Sequence, residues 1–415
     1  MRVVAVGLAV LLASQVAVAA PPAGTYEDFG FDFLRTADQG NAVAAPRNLG
    51  RLLALVASGA KGETQRELLA ALRKTRADVE GLTKAAPACG QREAWAFASR
   101  VGFTDAFQKR VDDLSADRIS FSSNRDETRD AIDRWARERT KGEIRDLVPK
   151  DGLDDRSMLV LAAVSEFSSR WQDEFETGST RWGAFQLASG EKVDVPMMSG
   201  RKNVRAAFLQ EVSILELPFA CEGLAAVVLM PRMPGDGEMR SAVGALGPLG
   251  PLDNLRPAAE AAPERRPAAK VARPPDLGRL EKMLSRETLA RWRSQLGPSL
   301  VHVELPRFVV RSNGNADRAL QALGIRRAFK SGADFGAMTT EPLQIEHVFH
   351  EAVVKVAEGG VDAWAGSAVV FGSRGSPPPV PDFRVDRPFL FLIQDVRSGE
   401  VLFLARVVDP RTRPA

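Results

Sequence analysis

Two cysteines in 415 residues, Cys89 and Cys221, are too few to build a disulfide scaffold. They allow one pairing, which sequence alone does not establish, and two buried free thiols are the expected state. Histidine is as scarce: His302, His347 and His350 are the only three. None neighbours a G-x-S-x-G elbow or a cysteine motif, so little here supports nucleophilic hydrolysis. A hydrolase on an unrelated fold remains the reading least supported. His347 and His350 would suit a metal on a helix. They lie instead in the strand-like run LQIEHVFHEAVVKV (343–356), where residues three apart point to opposite faces. There is no P-loop and no G-x-G-x-x-G after a strand. No metal and no cofactor are expected. Charge is nearly balanced at a formal +3, which does not predict a nucleic-acid partner.

Long apolar runs are missing too. Val3–Leu12 is too short to favour a membrane span. With Arg2 before it and Ala17-Val18-Ala19 after it, residues 1–19 read as a secretory signal cleaved before Ala20. The expected product is exported, secreted or periplasmic, with no stable membrane association. A hydrophobic content of 45% and a charged content of 26% suit a large core and exclude disorder.

Helical periodicity covers residues 26–72. Asn48 is placed to cap a helix carrying Leu49, Leu52, Leu53 and Val56 on one face, and Thr64 with Glu67 to form a capping box for the next. Residues 126–139 read as another helix, and 158–167, 212–218, 224–230 and 301–310 as strands. Helices and strands mixed without a βαβ rhythm indicate an α+β fold. Residues 234–275, dense in Pro, Ala and Gly, read as an inert surface insertion.

The segment EGGVDAWAGSAVVFGSRGS (358–376) breaks the rule that loops are polar. It has a strand pattern. Val361, Ala363, Ala365 and Ser367 share one face, and Asp362, Trp364 and Gly366 the other. Small residues on one face suit a strand that slides into a narrow slot, and the glycines keep it adaptable. Such a segment is bistable, and its function should lie in the switch.

This stretch and its flanks resemble the reactive-centre loop of the serpins. Further pieces follow in family order across residues 26–410: NAVAAPRNLGRLLALVASGAKGETQREL (41–68), IDRWARERTKGEIRDLVP (132–149), EFSSRWQDEF (166–175), VPMM (195–198), LPRF (305–308), LGIRRAFKSGADFGAM (323–338), DRPFLFLIQD (386–395) and VLFLARVVDP (401–410). The resemblance implies one serpin domain over 24–415, with helices on a large central mixed sheet, two smaller sheets and an exposed reactive-centre loop at about 358–380. A bacterial, secreted, monomeric member is expected.

What the resemblance implies chemically is suicide-substrate inhibition of a serine protease. Glu358, Gly359 and Gly360 match the hinge, and Val361, Ala363, Ala365 and Ser367 form the inserting set. Fourteen residues from Gly360, the family span, place the reactive bond at Arg374–Gly375 and predict a trypsin-like target held in a covalent complex. Phe371 competes for that role and would suit a chymotrypsin-like target. Departures lie at the sheet opening. Ala45-Pro46-Arg47-Asn48 lacks two family serines, and Ala163 stands where the family has an asparagine partner for its histidine, here His350. Ser165 is the expected replacement partner, and Trp171 matches the family tryptophan near the top of the sheet. A non-inhibitory serpin acting as a carrier, chaperone or binding module is the rival reading.

Overall fold

The apolar run LVLAAVSEF forms a strand buried on both faces, β4 of the computed structural model (Leu159–Phe167). The residues described are 25–84, 86–154, 157–234, 236–237, 276–312, 314–361 and 380–411. The expected signal peptide, insertion residues 238–275, and Ala363, Ala365, Ser367, Phe371, Arg374 and Gly375 of the loop lie outside them. The described helices are α1 (Glu27–Thr36), α2 (Pro46–Gly59), α3 (Gly62–Leu72), α4 (Arg76–Glu80), α5 (Asp105–Asp113), α6 (Arg125–Arg139), α7 (Leu277–Met283), α8 (Arg286–Arg293) and α9 (Asp317–Ala322). None is long and apolar enough to cross a membrane.

Eight strands make the sheet that contains β4. They are β2 (Gln91–Ser99), β3 (Asp117–Ile119), β4, β5 (Ser169–Arg170), β11 (Phe308–Arg311), β12 (Gly314–Asn315), β13 (His347–Ala357) and β14 (Gly360–Val361). At its centre β4 and β13 pair in parallel, from His347 opposite Val160 to Val353 opposite Glu166. Alternation along β4 explains the layers. Val160, Ala162 and Val164 meet Ile132, Trp135 and Ala136 of α6 on one face. Leu159, Leu161 and Ala163 share a core with Leu49, Leu52, Leu53 and Val56 of α2 on the other.

The second sheet has nine strands: β1 (Ala42–Ala44), β6 (Arg181–Gln186), β7 (Lys192–Phe208), β8 (Val212–Pro218), β9 (Leu224–Pro231), β10 (Gly297–Pro306), β15 (Asp382–Arg384), β16 (Phe389–Asp395) and β17 (Val401–Val407). The 17-residue β7 joins two groups of strands. Its start pairs with β6, its end with β8, and β10 pairs with the stretch that links them, Met197 to Ala206. A core including Phe308, Val354, Phe389, Phe391 and Phe403 lies between the sheets.

Several local expectations are corrected. Asn48 does not cap α2; Ala45 holds that position with Pro46 starting the helix. Thr64 and Glu67 form no capping box, because α3 already starts at Gly62. Thr64 Oγ1 instead accepts from Asp334 N, and Glu67 from Arg326 N and Arg327 N, so tertiary contacts have claimed both side chains. The strand expected at 301–310 breaks at Arg307, where the chain leaves β10 in one sheet and enters β11 in the other.

The cysteines are the largest correction. Cys89 and Cys221 are not free thiols but a disulfide with a Cα–Cα distance of 5.7 Å, closing a sequence separation of 132. Neither is buried. Cys89 precedes β2 and Cys221 turns the β8–β9 hairpin, so the bond ties one sheet to the other. Closing so long a loop removes much unfolded-chain entropy. Replacing both cysteines by serine is expected to lower unfolding stability by about 2–4 kcal/mol, measured by urea denaturation. Thiol titration of the native protein should find none free.

Candidate functional site

The chain reverses direction after β13, and that reversal forms the site. Val356 and Ala357 pair with Val361 and Gly360, which pair on their other side with Ser169 and Arg170 of β5. At this end of the sheet β14 lies between β13 and the chain following β4. Below it, β4 and β13 still pair directly. A short strand therefore sits at the head of a seam that is closed further down.

Glycine is required at the entrance. Gly360 has φ +149°, and a Cβ there would lie 2.1 Å from the Ser169 carbonyl oxygen and 2.6 Å from Arg170 Cα. Val361 is fully buried in the core between the sheets. Both hinge carbonyls before Gly360 are captured. Trp171 N donates to Gly359 O at 2.9 Å, and Phe175 N to Glu358 O at 3.0 Å. Trp171 also donates from Nε1 to Ala357 O at 3.0 Å, and its ring stacks on Phe219 at 4.8 Å. It is thus a core residue and a hinge contact at once.

Glu358 anchors the turn. Its side chain is buried and accepts from Arg307 Nε at 2.6 Å and Thr180 Oγ1 at 2.5 Å. Burial alone would raise its pKa, but the hydrogen bonds from Arg307 and Thr180 outweigh it and hold the carboxyl below its usual range. Arg307 reaches it because the chain changes sheets at that residue, with Arg307 N bonded to Pro196 O. That link was invisible in the sequence.

A polar lock lies lower on the seam. His350 on β13 sits opposite Ala163 on β4. Its Nε2 accepts from Ala45 N at 3.1 Å, which fixes the neutral ring with its proton on Nδ1. Burial pushes its pKa down to about 4, opposed only in part by the Ala163 carbonyl. Ser165 belongs to the lock but is not the partner of His350. It accepts from Asn48 Nδ2 at 2.7 Å, and the same amide donates to Val164 O at 2.7 Å. The side chain placed as a helix cap is therefore the bolt between α2 and β4.

The other histidines form no relay. His347 Nδ1 lies 2.7 Å from Asp317. His302 approaches both Ser199 and Glu304, at 3.2 and 3.7 Å, but through the same Nε2. A nucleophile–base–acid chain needs opposite ring nitrogens. Among the described residues no group of three or more His, Cys, Asp or Glu is placed to hold a metal.

Two outcomes follow from this geometry. Gly360→Ala should expel the hinge, and exchange of the Trp171 amide hydrogen should quicken at least tenfold. His350, neutral when folded, binds a proton more readily when unfolded. Its contribution is complete above the ordinary value of 6.5 and is lost as pH falls toward about 4. Unfolding stability should drop by about 2–3 kcal/mol between pH 7.5 and 4.5 from this group, and His350→Gln should flatten that part of the profile.

Comparison with known proteins agrees with this architecture. The family described as "Serpin (serine protease inhibitor)" matches residues 25–250 and 271–410. Serpin-Z1C of Triticum aestivum is 30% identical over 401 residues, covering 89% of this chain and 90% of that protein. Leukocyte elastase inhibitor of Bos taurus is 26% identical over 389 residues, covering 89% and 93%. Among solved structures, human thyroxine-binding globulin complexed with thyroxine superposes with a TM-score of 0.75 at 19% identity, covering 94% of this chain and 98% of that one. At that identity the likeness shows the fold alone. The expected bacterial origin gains no support from these relatives. Sequence and fold agree on one conclusion: the chain belongs to the serpin family.

Proposed function

We propose that the protein is a secreted suicide inhibitor of a trypsin-like serine protease, with Arg374–Gly375 as the reactive bond. One observation carries this reading. The hinge already occupies the head of a seam that is shut below it. The next residues of the chain, with Ala363, Ala365 and Ser367 in register behind Val361, have the alternation to continue that strand.

The chemistry belongs to the protease. Its serine oxygen attacks the Arg374 carbonyl carbon, the bond to Gly375 nitrogen breaks, and the serine proton passes through the protease histidine to the new amine. An ester now joins Arg374 to the protease. The freed strand advances between β4 and β13 and carries the protease with it. Each added backbone hydrogen bond contributes about 0.5–1.5 kcal/mol, so a dozen supply roughly ten, before side chains are buried. Water must then reach the ester before the protease is deformed, or the trap holds. The disulfide is in keeping with an oxidising, extracytoplasmic destination.

The test is direct. Incubation with trypsin should give an adduct that survives SDS, and Arg374→Ala should abolish or greatly slow it. Ala365→Arg should convert the inhibitor into a substrate, because a charge would have to enter the sheet. A non-inhibitory serpin, the rival reading, predicts cleavage without an adduct.

A further inference from the structure

Lysine in an apolar register is a signal that the hinge and lock do not account for. Along β7 the residues Met198, Lys202, Val204 and Ala206 are all buried, and Lys202 is only 4% exposed. A buried ammonium must find partners for its donors. All those of Lys202 come from one turn. Its Nζ donates to Asp173 O at 3.0 Å, Asp173 Oδ1 at 2.9 Å and Glu174 O at 2.6 Å. It also lies 4.6 Å from the centroid of the Phe175 ring. Gly200, two residues earlier, leaves the space: a Cβ there would approach Lys202 Cε to 3.3 Å and Phe175 Cδ1 to 3.7 Å.

The clamped turn is the one that receives the hinge. Residues 173 and 174 lie between Trp171 and Phe175, whose N–H groups hold Gly359 O and Glu358 O. Two successive carbonyls drawn to one ammonium curl the turn around it and fix where the Phe175 N–H points. The amine stands on the nine-stranded sheet and the turn continues β4 and β5 of the other. Lys202 therefore ties the 173–174 turn to β7.

We propose that Lys202 is a positioning residue of the gate: it presents the Trp171 and Phe175 amides in register for the hinge, and so sets how often an acylated protease is trapped rather than released. The clamp rests on geometry alone; its effect on trapping rests on the inhibitory reading above. Loop cleavage, which precedes insertion, should not depend on it.

The experiment compares the full-length protein with Lys202→Met, which keeps the length and loses the ammonium, and with Asp173→Asn, which keeps both carbonyl contacts. Residue-resolved hydrogen exchange should show the Trp171 and Phe175 amides at least tenfold faster in Lys202→Met and less than threefold faster in Asp173→Asn. Titration of trypsin should consume at least threefold more Lys202→Met per protease trapped, with the rate of loop cleavage within twofold of wild type. Should Lys202→Met fail to fold, Lys202→Leu, shorter and also without the ammonium, takes its place, and the same shifts are expected. A Lys202→Met protein that melts lower yet keeps both amide rates and the same partition has lost only packing, and the proposal falls. Equal effects from Asp173→Asn would also overturn it, since the exposed carboxylate would then be the active contact. If wild type forms no adduct while Lys202→Met still frees both amides, the clamp stands and the inhibitory reading is what fails.

Discussion

The molecule is organised around the parallel ladder between β4 and β13. Seven residue pairs, His347–Val353 against Val160–Glu166, hold the eight-stranded sheet shut. Helix α6 covers one face of that seam and α2 the other. A parallel pair this deep is buried on both sides, so its backbone groups have no water to turn to if the strands part. They separate at low cost only if another strand replaces the bonds as they are lost. Among the described residues, β14 already lies between β13 and β5 at the head of that seam.

Different chemistry guards the two parts of this seam. At the head, the contacts are charged or directed to main chain: Arg307 and Thr180 on Glu358, Trp171 and Phe175 on the hinge carbonyls. Farther down, on the face covered by α2, the contacts are neutral. An imidazole kept unprotonated by burial receives the Ala45 amide, and the Asn48 amide bridges Ser165 to the Val164 carbonyl. The upper set holds the turn at Glu358–Gly360, and the lower set keeps α2 seated on β4. Arginine suits the first task, since its fork holds charge and several donors in a fixed plane.

Much of the architecture was legible in the sequence because it rests on period. The two-faced run of β4, the apolar runs of β8 and β9 and the helical face of α2 all lie where the apolar pattern puts them. Side chains that act across long distances were not legible. Asn48 reads locally as a cap, and only the placement of β4 shows that its amide crosses to Ser165. Thr64 and Glu67 read as a capping box for the same reason, yet serve the segment around 326–334. The Cys89–Cys221 bond spans too much chain for spacing to reveal. Arg307 looked like the middle of a strand until the change of sheet gave it a role. Lys202 did leave a trace, a cation where the β7 alternation called for an apolar residue.

The disulfide has a mechanical consequence. It fastens the start of β2, beside the head of β4, to the hairpin of the other sheet. At that same head β14 already separates β13 from β5, so the gap there is near two strand spacings, about 10 Å. An end that is both fastened and already wide has nowhere left to travel. Under the proposed mechanism, widening of the sheet is then a swing about that corner, largest at the far end near His347, like a fan opening on its rivet rather than a drawer pulled straight.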